Sequence, residues 1–102
     1  MPKSNRGLEP IPPGEILREG FMRPHGLSIN RLARDLDVPP YRIGKIFNGR
    51  RAITADTALR LQRYFGVEAQ FWLNLRTEYD LRLVGLKTGQ DIKTRVRPLN
   101  AA

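Results

Sequence analysis

SINRLARDLDVPPYRIGKIFNG, residues 28–49, divides into two short helical segments hinged at residues 37–40. Ser28 is a good N-cap, because its hydroxyl can accept from an orphan amide of the first turn. Behind it Ile29, Leu32, Ala33 and Leu36 recur at i, i+3, i+4 and i+7, the spacing of one helical face. Asp37-Val38-Pro39-Pro40 breaks that run, since proline ends a helix from within, yet Pro40 suits the first turn of a new one. In the new helix Ile43, Ile46 and Phe47 form the inward side, and Asn48-Gly49 closes it with residues that tolerate left-handed backbone. Two helices so close in sequence predict a helix-turn-helix, with Ala33 small enough for them to approach. Hiding Ile43, Ile46 and Phe47 turns Tyr41, Arg42 and Lys45 outward, where they can meet base edges in a major groove. Arg42 is the foremost candidate for base readout, because guanidinium matches O6 and N7 of guanine bidentately. Ser28, Arg34, Asn48, Arg50 and Arg51 surround that set as candidate phosphate ligands.

The same periodicity extends to both sides. Residues 1–12 carry Pro2, Gly7, Pro10 and Pro12 with little pattern and predict a flexible N-terminal arm. A helix should start at Pro13 or Gly14, face inward with Ile16, Leu17 and Phe21, and stop at Pro24 to Gly26. Downstream, Thr54 caps a fourth helix with Asp56 in its first turn; Ala58, Leu61 and Phe65 line it and Gly66 closes it. A fifth segment, from about Glu68 to Val84, carries Phe71, Trp72, Leu75, Tyr79 and Leu83. No stretch alternates with period two, and no long repeat is visible. The pattern predicts an all-α domain of five helices over residues 13–85, followed by a basic C-terminal tail over 86–102. Phe71 and Leu75 are assigned to its core. Trp72 and Tyr79, seven residues apart, are assigned to a homodimer seam, because a small domain has little interior to cover both.

Composition narrows the function. The chain has 102 residues, no cysteine and one histidine. That length suits one domain, and the absence of cysteine excludes disulfide frameworks and Cys-based metal sites. His25 alone cannot build a metal site, and no nucleophile or phosphate-loop motif appears, so neither a metal, a cofactor nor enzymatic activity is expected. No apolar run reaches membrane-spanning length and no signal peptide is apparent, which makes a cytoplasmic location the default. The net charge is +8. Residues 38–55 hold Arg42, Lys45, Arg50 and Arg51 with no acid among them, and the tail adds Lys87, Lys93, Arg95 and Arg97 against Asp91. A polyanion is the natural partner, with double-stranded DNA foremost.

Three stretches carry a family resemblance: PPGEIL at 12–17, GLSINRLARDLDVPPYRIGKIFNGRR at 26–51 and ITADTALRLQRYFGVEAQFWLNLRTEYDL at 53–81. Together they resemble the HigA-type antitoxins, Xre-like helix-turn-helix proteins of bacterial toxin–antitoxin modules, over about residues 12–84. The resemblance implies a lambda-repressor-like fold, and a dimer that represses its own operon and neutralises a RelE-like mRNA-cleaving toxin. Three positions depart from the family pattern: Ile29 where Gln is usual, Asp37 where Gly is common and Gly44 where Ser is common. An RNA-cleaving toxin is normally basic, so its contact with this basic chain should use apolar burial and local acids. Glu15, Ile16, Glu19 and Phe21 of the first helix, with the arm, are the candidates. A free-standing helix-turn-helix regulator without a toxin is the alternative.

Overall fold

The computed structural model describes residues 9–100, so most of the expected arm lies outside the described residues. Five α-helices, and no strand among the described residues, form the chain: α1 (Pro13–Ile16), α2 (Ile29–Leu36), α3 (Pro40–Phe47), α4 (Ala55–Phe65) and α5 (Ala69–Arg95). Between the first two, α1 widens into a π-helix over Leu17–Met22 and then tightens into a 3-10 turn over Arg23–His25. Pro24 gives a reason for the departure. It has no N–H to donate, and in a regular α-helix its ring would collide with the carbonyl of Gly20. Gly26 then takes φ +63°, and the Leu27 amide donates back to Met22 O at 2.9 Å, a Schellman-type stop.

α2 is closed the same way without a glycine. Asp37 sits at φ +60° and Val38 N donates to Ala33 O at 3.0 Å. Aspartate is among the few L-residues that adopt this conformation singly, so the departure from glycine leaves the turn intact. α4 begins at Thr54, whose Oγ1 accepts from Thr57 N at 3.4 Å. The start of α5 is capped from outside, by Gln62 Oε1 of α4 accepting from Ala69 N at 2.7 Å.

Leu17, Leu32, Ile43, Ile53, Leu61 and Trp72 are wholly buried, so the π-helical segment, α2, α3, the loop after it, α4 and α5 contribute to one core. Each such side chain contributes about 1.5–3 kcal/mol relative to leaving it in water. Trp72 corrects the sequence expectation: it is 0% exposed and cannot form a seam with a second copy. Its ring lies 4.6 Å from Phe21 and 5.1 Å from Phe71 between centroids. The expectation for Phe21 is corrected by the same cluster, because Phe21 also packs at 5.2 Å on Phe65 and so belongs with the core, not a toxin-facing surface. Four aromatics thus close the bottom of the bundle, and a chain this small does find room for them by stacking them on one another.

A second correction concerns length. The fifth helix was expected to stop near Val84, with a tail from 86, but α5 continues to Arg95. Its outer half leaves the body: Leu81, Val84, Leu86 and Ile92 are exposed. The Cα radius of gyration is 16.7 Å, well above the ~13 Å of a compact domain of this size. Neither Gly85 nor Gly89 breaks the helix, and Lys93 and Arg95 complement the dipole at its last turn.

Candidate nucleic-acid interface

The start of α3 is shaped by two prolines. Pro39 stands at the cap in extended conformation and Pro40 occupies the first turn. The helix can then hide only one side, and Ile43 and Ile46 are that side, buried against the core. Tyr41 and Lys45 consequently face solvent; Tyr41 is 61% exposed, and Lys45 Nζ lies 5.4 Å from the centre of its ring. A cation held over an aromatic face in this way is ordered at little cost.

Arg42 is placed differently from its neighbours. Only 22% of its side chain is exposed, and Nη1 lies 3.2 Å from Oδ2 of Asp56 on α4. Its Nε is buried without a hydrogen-bond partner. The same Asp56 oxygen accepts from Arg60 Nε at 2.9 Å. Arg60 Nη1 in turn donates to Leu36 O at 2.8 Å and Asp37 O at 3.2 Å, meeting carbonyls that the end of α2 leaves without helical partners. The Asp56 carboxyl is held below its ordinary range, first by the Arg60 hydrogen bond and then by the charges of Arg60 and Arg42.

The remaining candidates divide. Ser28 Oγ caps α2, accepting from Arg31 N at 3.0 Å, and its hydroxyl proton remains free to donate. Asn48 Oδ1 accepts from Arg50 N at 3.2 Å, while the amides of Arg50 and Arg51 both donate to Lys45 O, at 2.9 and 3.2 Å. The loop after α3 is thereby fastened to it. Arg34 and Arg50 are exposed, whereas Arg51 is half-buried and lines a small cleft with Pro13, Gly14, Tyr79 and Asp80. Adjoining it through Tyr79, a groove is lined by Ile16 and Tyr79, both half-buried, with Ile11, Leu75, Glu9 and Glu78. Glu15 is exposed, and Glu19 is paired with Arg18 and Arg23.

Sequence reasoning missed the roles of Asp56, Arg60 and Tyr64. Tyr64 donates its hydroxyl proton to Asp35 at 2.6 Å, and Arg31 Nε reaches the same carboxylate at 2.8 Å. The Tyr64 hydrogen bond, followed by that of Arg31, holds Asp35 below the 3.8 of a free side chain. A folded value lower than the unfolded one means that the stabilisation is fully present above about pH 4 and lost as pH falls through the folded value. Asp35→Asn is therefore expected to leave a shallower loss of stability on the acid side than the parent protein shows. Urea denaturation at several pH values between about 7 and 2 measures it, and equal acid slopes would refute the assignment.

An all-α body that buries one side of α3 and displays its first turn beside a cationic loop defines a helix-turn-helix protein. The helix-turn-helix family profile matches residues 17–72. Virulence-associated protein I of Dichelobacter nodosus is 53% identical over 83 residues, covering 81% of this chain and 77% of that protein. A HigA-family antidote protein from Coxiella burnetii superposes with a TM-score of 0.84 at 47% identity, covering 88% of this chain and 98% of the other. The Pseudomonas aeruginosa antitoxin HigA, solved with the higBA promoter, gives 0.84 at 43% identity over 89% of this chain and 99% of the other. The chain belongs to the helix-turn-helix family and, by sequence and fold, to its HigA-type antitoxins.

Proposed function

We propose that this protein is an antitoxin of two activities: a homodimer that represses its own operon at an inverted repeat, and the neutraliser of a RelE-like mRNA-cleaving toxin. The observation that carries the DNA-binding half is the outward side of α3, where exposed Tyr41 and Lys45 and the half-buried Arg42 stand beside the acid-free loop holding Arg50. The Pseudomonas relative solved with its promoter supports the same reading. Tyr41, Arg42 and Lys45 read base edges, while Ser28, Arg34, Asn48, Arg50 and Arg51 fix the register on phosphates. Exposed Leu81, Val84 and Ile92 share one side of α5 at 100° per residue and give a second copy an apolar strip to cover, while Tyr79 and exposed Leu86 fall together on the other side of the helix. Glu15, Glu19 and Ile16 are the toxin-facing residues that remain once Phe21 is assigned to the core. We assign the chain no catalysis, metal or cofactor.

Arg50→Ala should weaken binding to every duplex alike and reduce the slope of log K against log salt by about one, the signature of one lost phosphate contact. Fluorescence anisotropy titrations at several salt concentrations check it, and an unchanged slope would remove Arg50 from the phosphate set. The toxin half is tested by co-expression with the adjacent gene product. Co-purification and restored growth are expected. A toxic neighbour that is neither bound nor neutralised would leave a free-standing regulator.

A further inference from the structure

We infer that Asp56 is a positioning residue for DNA readout: from α4 it fixes the direction of the Arg42 guanidinium and so sets the base preference of the recognition helix. The inference rests on the reading of Arg42 as a base-contacting residue and adds a residue on a different helix that governs it.

The geometry supplies the reasons. The Arg42 stem is packed, its Nε is buried and unpartnered, and Nη1 is bound at 3.2 Å by Asp56 Oδ2. With Nη1 bound and Nε buried, Nη2 is the terminal nitrogen through which Arg42 would meet a base. Arginine at a groove edge can contact either a base or the nearer phosphates, and a carboxylate holding one side of the fork restricts that choice. Asp56 is itself immobilised, because Arg60 Nε holds it at 2.9 Å. Arg60 is tied in turn to the carbonyls of Leu36 and Asp37. A continuous chain of hydrogen bonds therefore runs from the turn between the two helices, through Arg60 and Asp56, to Arg42.

Charge makes the assignment distinctive. Asp56 is 59% exposed at its side chain, next to a surface proposed to meet a polyanion. A carboxylate there opposes DNA binding in general. It can favour discrimination only by restricting what Arg42 touches. Removing it should therefore move two quantities in opposite directions, whereas simple damage to the fold would lower both.

The test uses a duplex selected from a random-sequence pool by the full-length protein, single-base variants of that duplex, and a random-sequence duplex. Arg42→Ala is expected to abolish preference at one base pair, where the parent discriminates by roughly tenfold or more. Asp56→Ala should reduce preference at that same base pair by roughly tenfold while binding the random duplex several-fold more tightly. Asp56→Asn, which keeps the shape and loses the charge, should fall between. Thr54→Ala removes the cap of the same helix without touching Arg42, and should lower stability with the base profile unchanged. Thermal unfolding of each variant separates folding from readout. An unaltered profile in both Asp56 variants, or weaker random binding together with weaker selected binding, overturns the inference while the Arg42 reading stands. An unaltered profile in Arg42→Ala overturns the readout assignment itself.

Discussion

Trp72→Ala is expected to destabilise the protein by about 3–5 kcal/mol, the range for removing a large aromatic from a packed interior. Stabilities of small domains are about 5–15 kcal/mol, so this single change removes about a fifth of the total or more. The ring fills the space between α1's π-helical extension, α4 and α5, against Phe21, Phe65 and Phe71. None of these neighbours can collapse into the void without giving up its contact with the others. Trp72→Phe should lose far less, because it keeps most of the ring contacts and removes an indole Nε1–H that is buried without a partner. Far-UV circular dichroism in urea measures both variants. A loss below about 1 kcal/mol for Trp72→Ala would return the residue to the surface.

Trp72 also shows where the sequence stops being informative. The helix-turn-helix was legible because its signals are local: a cap at Ser28, an i, i+3, i+4, i+7 stripe, a proline pair, and a second stripe at Ile43, Ile46 and Phe47. Burial within one helix follows from such spacing. Which of two partly apolar faces of α5 meets the body does not, because Trp72 and Tyr79 share a stripe although one is interior and the other half-exposed. Nor does the length of α5, whose outer turns are held by backbone bonds and local contacts such as Thr88 Oγ1 to Val84 O at 3.1 Å. Arg42 and Asp56, and Tyr64 and Asp35, pair across 14 and 29 residues. No local pattern marks partners that far apart. What the charge pattern did mark was the acid-free window, and the structure gives it a boundary: Asp56, the first acid after it, is the one that holds Arg42.

Gly14→Ala is expected to destabilise by about 1–3 kcal/mol and also to weaken DNA binding, although alanine is ordinarily the better helix former. In an open helix the exchange would gain up to ~1 kcal/mol. Here an added Cβ would lie 2.5 Å from Ile46 O and 2.9 Å from Phe47 Cα, and non-bonded carbon contacts relax only near ~3.5 Å, so α1 and α3 must part by about 1 Å. The opposing atoms are backbone and cannot rotate aside. Steric cost therefore exceeds propensity. The displaced atoms belong to the last turn of the recognition helix, where Gly49 N donates to Ile46 O at 3.3 Å and the Arg50 and Arg51 amides are fastened to Lys45 O. Binding constellations hold their function within about 0.5 Å, so affinity for the selected duplex should fall roughly tenfold in the fraction that remains folded. Gly20→Ala is the matched control, since its Cβ would meet nothing within 4 Å, and it should be neutral or stabilising. Urea denaturation and anisotropy titration of the two variants side by side decide the matter. Equal behaviour would mean that α1 does not press on α3 at all, and that the first helix is no part of what aims the recognition helix at DNA.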